Sequence, residues 1–392
     1  MNVLVVADGH YLKDKHGNIY AESVYNYKFY KRYLEVFDKV YAIIRITELD
    51  LIPSTAKLCS GPNVEFLPLP PYKGPIEYAG RYFEIRKVAK KYFKLVDCAI
   101  FRIPSATANL LCKMFSKTKK PYALEVVVDP WEFFSNGSVK SFTRPVVRLA
   151  WTNFVKQACK KADGVSYVTE HYLQNKYPAS SNAFQSYYSS VEIPAETLKN
   201  PKEYLKQDQY IISHCAAGFA TYGKGHMQLM EAVAKIRNKG IDVSIVFIGD
   251  GPLRPIFENH AKDLGISPYV NFAGLQPSGK EVRDIIERSD IFVFPTKAEG
   301  LPRVLLEAMA SAMPCISTPV CGIPEILDSE FLVDYDDVDK LAEAIEKTIT
   351  NPDVLTTASY NNLNTAKKYT AEVLEVRRTD FYRKLSELVE DR

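Results

Sequence analysis

"SDIFVFPTKAEGLPRVLLEAMASAMPCIST", residues 289–318, reads as one strand, loop, helix and strand in succession. The apolar run IFVFP is followed by a polar loop, by helical periodicity over 303–312, and by a second short apolar run, PCIST. Pro302 stands at or near the first helical position, where its missing N–H costs nothing. Two acids flank this start, Glu299 before it and Glu307 about one turn in. Helical side chains lean toward the N-terminus, so the Glu307 carboxylate reaches back to the end at which Glu299 lies. Both acids are therefore expected to face one small volume.

The same alternation runs through the rest of the chain. In the first half the strand candidates are NVLVVA, KVYAIIR, CAIFRI, YALEVVV and GVSYVT, with helical patterns over 22–36, 80–94, 105–117 and 143–161. In the second half YIISHCA, VSIVFIG, YVNFAG, IFVFP and PCIST alternate with helices near 226–239, 253–265, 279–288 and 303–312. Strands alternating with helices make βαβ units and parallel sheets. The expected fold class is α/β, with two doubly wound, Rossmann-like domains. They are placed at residues 1–192 and 209–370, joined by a Pro- and charge-rich linker at 193–208. Residues 371–392 form a terminal amphipathic helix, with Leu374, Phe381, Leu385 and Leu388 on one side, that crosses back to the first domain. Ligands of such sheets sit beyond the carboxyl ends of the strands, so the site is expected in the cleft between the domains.

Composition narrows the function. The 392 residues are 46% hydrophobic and 25% charged, ordinary for a globular chain of two large domains. No apolar run approaches the ~18–20 residues a membrane span needs, and Met1–Val6 reads as a first strand rather than a leader. A cytoplasmic protein is expected. Seven scattered cysteines without a C-x-x-C pair and six dispersed histidines argue against a disulfide framework or a zinc site. The charge is uneven: residues 1–200 carry 28 Lys and Arg against 18 Asp and Glu, whereas 201–392 carry 22 against 29. Basic residues interleaved with Tyr and Phe concentrate over 80–95 and 113–148. That pattern fits either a solvated helix face with inward aromatics or peripheral docking to an anionic membrane or a phosphate-bearing acceptor. No nucleic-acid motif accompanies it.

The volume between the two acids also receives the backbone N–H groups of Gly300, Leu301 and the first helical turn, at the positive end of the helix dipole. Such a place binds phosphate. Lys224 in TYGKGH, after the first strand of the same domain, adds a positive charge for a diphosphate. Carboxylates repel phosphate, so their partners are hydroxyls beside it. A nucleotide sugar offers both.

The chain resembles glycosyltransferase family 4, retaining enzymes of GT-B fold, through FIGDGPL (247–253), VNFAG (270–274), the stretch 289–318 and CGIPEIL (321–327). These cover most of the second domain; VVADGHYLKDKHGNIY and VTEHYLQNKYP extend the likeness more loosely into the first, in the manner of bacterial capsule and exopolysaccharide members. By this resemblance Glu299 lies beside the transferred sugar, Glu307 grips the ribose hydroxyls, and Lys224 holds the diphosphate. Gly300, Leu301 and the neighbouring Pro302 contact sugar and phosphates, while Gly274 and Leu275 fall where the base packs. The chain departs from the family at Gly218, which Phe219 follows where an Arg is common, and at Asp129, which stands where a first-domain histidine is usual. Asp129 is a candidate for orienting an acceptor hydroxyl or sugar. The paired glycines usual after the first strand are absent, leaving Gly9 and Gly17, and His10 and Gly17 are candidates on the acceptor side.

The expected activity is transfer of a sugar from a nucleotide-diphosphate donor to a hydroxyl of a glycan or polyprenyl-diphosphate-linked acceptor, with retention at the anomeric carbon. No D-x-D stretch is read as a Mg²⁺ site, so no metal or cofactor is expected; Lys224 and the helix start take that role. Two other readings share these features. A nucleotide-sugar 2-epimerase uses the same architecture, because fold alone does not fix chemistry. A non-catalytic glycan-assembly subunit would account for the missing Arg and the basic first half.

Overall fold

The computed structural model describes residues 1–22, 25–72, 74–134 and 144–391. Residues 135–143, within the second basic and aromatic segment, lie outside the described residues, as do 23–24 of the expected first helix, 73 and 392. The chain folds as two parallel-sheet α/β domains.

The first sheet contains β1 (Asn2–Val6), β2 (His10–Lys13), β3 (Ile19–Ala21), β4 (Lys39–Glu48), β5 (Lys57–Leu58), β6 (Val64–Leu69), β7 (Cys98–Ile103), β8 (Tyr122–Val126), β9 (Gly164–Tyr167) and β10 (Phe184–Tyr187). Their order is β10-β9-β8-β7-β1-β4-β2-β3-β5, with β6 also on β4. Strand order reverses at β1, which lies between β7 and β4, so the loops after β1 and β7 open a crevice there. β1, β7 and β8 are buried almost throughout, as strands covered on both faces must be.

The second sheet is β13-β12-β11-β14-β15, all parallel, from β11 (Gln209–Gly218), β12 (Asp242–Asp250), β13 (Val270–Gly274), β14 (Ile291–Phe294) and β15 (Cys315–Ser317). Here the order reverses between β11 and β14. The loop carrying Lys224 leaves β11 and the loop carrying Glu299 leaves β14, so topology alone brings them to one crevice. The helix Arg303–Ala310 then buries Leu305, Leu306, Ala308 and Met309 against the sheet. Each fully buried leucine stabilises by roughly 1.5–3 kcal/mol, which fixes the helix start that presents the site.

The helix Ala371–Glu390 packs on the first domain, against β7, β9 and β10. Leu374, Phe381 and Leu385 are buried there, and Leu388 is half-buried. The Tyr382 ring stacks on Tyr33, centroids 4.7 Å apart, and its hydroxyl donates to Glu125. Glu125, on β8, is buried with Arg102 and Arg32 beside it and also accepts from Tyr188 at 3.0 Å. These cations hold its carboxyl down to about 2 despite burial.

Two expectations need correction. Among the described residues of 22–36, the expected helix is found only at Tyr27–Lys31, followed by a 3₁₀ turn at Arg32–Glu35. Asn26 starts it by accepting from the Phe29 N–H. The hairpin of β2 and β3 and strand β6 were not anticipated: β2 pairs with β4 at Arg45–Glu48, past the end of β1, and β6 pairs with β4 at Val40–Arg45.

Candidate active site

At the second domain's crevice the Lys224 ammonium pairs with the Glu299 carboxylate, both side chains partly buried. Lys224 ends a 3₁₀ turn, Tyr222–Lys224, and Gly225 follows with φ +75°. A Cβ at Gly225 would lie 1.9 Å from the Pro295 carbonyl oxygen, so only glycine lets this turn lie on the end of β14. The Lys297 N–H donates to the Gly223 carbonyl at 2.8 Å, tying the two loops together, and Thr318 Oγ1, just past β15, donates to the Thr296 carbonyl at 2.6 Å.

Pro302 serves as the N-cap of the helix, which begins at Arg303. Glu307 is partly buried one turn in, and burial raises its carboxyl above the ordinary value while Arg303 and Arg283 oppose the shift. Arg283, from the helix Gly279–Glu287, and Arg303 are therefore cations near the site that the motif reading overlooked. That helix starts with Ser278 accepting from the Lys280 N–H and touching Glu281. Gly274, φ +74°, and exposed Leu275 end β13 on the outer side of the sheet. Gly218 ends β11.

Phe219 is fully buried and points away from this crevice, into a cluster with His226, Phe257 and Phe272. The backbone of 249–251 closes over it, and added Cβ atoms at Gly249 and Gly251 would meet Ala216 O at 1.8 Å and Phe219 N at 2.7 Å.

Gly300 sits against the first domain. A Cβ at Gly300 would fall 2.4 Å from the Val127 carbonyl oxygen, just past β8. Asp129, two residues on, is completely buried. One oxygen accepts from the Trp131 N–H at 2.8 Å and from the Tyr177 hydroxyl; the other accepts from Tyr172 at 3.1 Å and Lys176 at 2.6 Å. In this arrangement it caps the turn Pro130–Phe133 and offers no exposed oxygen to a substrate. His10 is exposed at the start of β2, and Gly17, φ +88°, forms the tip of the β2–β3 hairpin. Neither is brought to the Lys224–Glu299 pair by a described contact.

Beyond β1 and β7, a pocket of about 700 Å³ lies at the first domain's switch point. The Asp8–Arg45 ion pair, 2.7 Å, stands among Tyr72, Tyr78, Phe133 and Trp151. The chain has D-x-D spacings at Asp334/Asp336 and Asp337/Asp339, but Asp337 caps the helix Val338–Ile349, and Asp336 and Asp339 pair with Lys297 and Lys235. Among the described residues no group of three or more His, Cys, Asp or Glu is placed to hold a metal ion.

Two Rossmann-like domains with crevices facing one cleft define the GT-B fold, and the chain is a glycosyltransferase: residues 211–351 match the family described as Glycosyl transferases group 1. Over 380 residues the chain is 26% identical to Protein CapJ of Staphylococcus aureus, covering 96% of this chain and 94% of that one. Among solved structures it resembles sucrose-phosphate synthase from Thermosynechococcus elongatus, with TM-score 0.72 and 16% identity over 99% of this chain and 100% of that one. Anabaena HepE, solved in complex with UDP, gives TM-score 0.66 and 14% identity, with 100% of both chains covered.

Proposed function

We propose that this glycosyltransferase moves a sugar, with retention, from a nucleotide-diphosphate donor to a hydroxyl of a glycan or lipid-linked glycan in bacterial surface polysaccharide synthesis. The observation that carries the reading is the Lys224–Glu299 pair at the second domain's switch point, capped by Gly300 against the first domain. On donor binding the pair exchanges partners. Lys224 turns to the diphosphate, Glu299 accepts from a sugar hydroxyl, and Glu307 accepts from the ribose diol. Gly274 and Leu275 would meet the base.

As the glycosidic bond lengthens, charge accumulates on the departing diphosphate. Lys224 and the N–H groups at the helix start would stabilise it where it forms, with no metal or cofactor required. The acceptor hydroxyl attacks from the same face through an oxocarbenium-like state, from the pocket that holds Asp8, Arg45 and Trp151. Asp129, by its buried bonds, would support the acceptor side rather than touch substrate. The likeness to CapJ and the UDP bound to HepE are what favour a capsule-type product and a nucleotide donor.

A groove of about 770 Å³ between the helices Tyr82–Tyr92 and Ala106–Phe115 favours a membrane-borne acceptor. Arg86, Lys90, Lys94, Lys113, Lys117 and Lys120 line it, and Phe83 and Ile76 are exposed nearby, 79% and 87%. Basic side chains beside bare apolar ones suit an anionic bilayer surface. Among the described residues no helix is long and apolar enough to cross a membrane, so this contact would be peripheral.

Glu299→Gln tests the catalytic reading. Transfer from the matching donor should fall by about 10²-fold or more. Unchanged glycan synthesis by that variant would refute it, and an epimerised nucleotide sugar formed without acceptor would favour the epimerase.

A further inference from the structure

The motif CGIPEIL ends on a glutamate that reaches across the domain boundary. Glu325 closes a 3₁₀ turn, Ile323–Glu325, in the second domain. One of its oxygens accepts from the Glu170 N–H at 2.6 Å; the other accepts from the His171 and Tyr172 N–H groups at 3.1 and 2.5 Å. Residues 170–172 follow β9 in the first domain and lead into the helix Tyr172–Lys176. Three backbone donors on one carboxylate make charge-assisted bonds, about twice as strong as neutral ones.

The same turn also grips the donor loop. The Gly322 N–H donates to the Gly300 carbonyl at 3.0 Å. A Cβ at Gly322 would meet the Thr169 side-chain methyl Cγ2 at 2.6 Å, and one at Gly300 would meet the Val127 carbonyl oxygen, so both glycines lie where the two domains touch. Cys321 holds φ +50°, the left-handed region, a strained conformation that persists only where its surroundings enforce it. On the far side Tyr172, whose N–H is held by Glu325, donates its hydroxyl to Asp129. One chain of bonds thus runs from Gly300 through Gly322 and Glu325 to Tyr172 and Asp129.

We infer that Glu325 is a positioning residue, a latch that sets the closed arrangement of the two domains and thereby holds Gly300 and Leu301 at the donor. It acts through the backbone of 170–172 and touches no substrate. Its release opens the cleft for donor entry and product exit; its engagement excludes water from the reacting sugar. This rests on the nucleotide-sugar reading only for the identity of the donor.

The test compares wild type, Glu325→Ala, Glu325→Asp and Gly322→Ala, with Glu330→Ala as an exposed control in the same domain. Small-angle scattering needs no donor: Glu325→Ala and Gly322→Ala should show a larger radius of gyration than wild type and control. With the donor that wild type uses, Glu325→Ala should raise donor KM about tenfold, with a smaller change in kcat, and raise the share of donor lost to water. Glu325→Asp should recover part of each effect. Gly322→Ala, which wedges the same contact without removing the carboxylate, keeps the test decisive if Glu325→Ala does not fold. A folded Glu325→Ala with wild-type dimensions, or with KM and hydrolysis within twofold of an active wild type, overturns the latch. Wild type inactive with every nucleotide sugar, but with the expected change in dimensions on mutation, overturns the donor reading and leaves the latch standing.

Discussion

Lys224 and Glu299, 75 residues apart in the chain, form an ion pair across the crevice between the ends of β11 and β14. Each neutralises the other where a donor would need both. On the proposed reading, donor binding would replace one partly exposed pair, worth little by itself, with separate contacts to phosphate and hydroxyl.

The buried position of Phe219 leads to a first expectation. Phe219→Arg would not restore the cation common in the resembling family, because the side chain enters the cluster of His226, Phe257 and Phe272. Burying an unpaired charge there should cost several kcal/mol, read as a lower urea midpoint with no gain in donor affinity.

Glu125 ties β8 to the C-terminal helix. Glu125→Gln leaves Arg102 and Arg32 without their buried counter-charge and should destabilise by about 3–5 kcal/mol. Tyr382→Phe removes one hydrogen bond and should cost about 1–2 kcal/mol. Because the folded carboxyl is held to about 2, below its ordinary 4.5, its contribution is complete above pH 4.5 and is lost as pH falls toward 2. Denaturant titrations in steps from pH 5 to pH 3 should show this loss in wild type and not in Glu125→Gln.

A second pH effect belongs to His214 and His226, rings 4.6 Å apart beneath Lys224. Burial holds His214 down to about 4 from its ordinary 6.5 and lowers His226 as well. The unfolded chain takes up these protons first, so stability present above pH 6.5 is lost as pH falls toward 4, roughly 2–3 kcal/mol for His214 alone. Neither ring nitrogen of His226 has a hydrogen-bond partner, and its ring stacks on Phe257 at 4.5 Å. His226→Phe should thus be tolerated at pH 7.5 and lessen the loss of thermal stability between pH 6.5 and 4, leaving the share that belongs to His214.

Much of the second domain was legible because each functional group there follows a short apolar strand. IFVFP and YIISHCA mark β14 and β11, and in a parallel sheet their following loops must share an edge, so Lys224 and Glu299 converge by topology. Long-range partners were not legible. Asp129 looked free in EVVVDPWEFF because Tyr172, Lys176 and Tyr177 lie more than forty residues on. Glu125 was hidden within an apolar strand, where a lone charge reads as an interruption until Arg32, Arg102 and Tyr382 arrive from three other elements. Glu325 carried only its place in a motif. Its partners are backbone N–H groups, which every sequence supplies and none advertises.

The most direct test of the central claim is a thermal-shift titration of wild type and Lys224→Ala with UDP-, GDP- and ADP-sugars. A ligand that binds only the folded state raises apparent stability in proportion to the logarithm of its concentration above Kd. One donor should raise the wild-type melting temperature, and the shift should vanish or move to at least about tenfold higher donor concentration in Lys224→Ala. An equal shift in both proteins would contradict the assignment of Lys224 to the diphosphate.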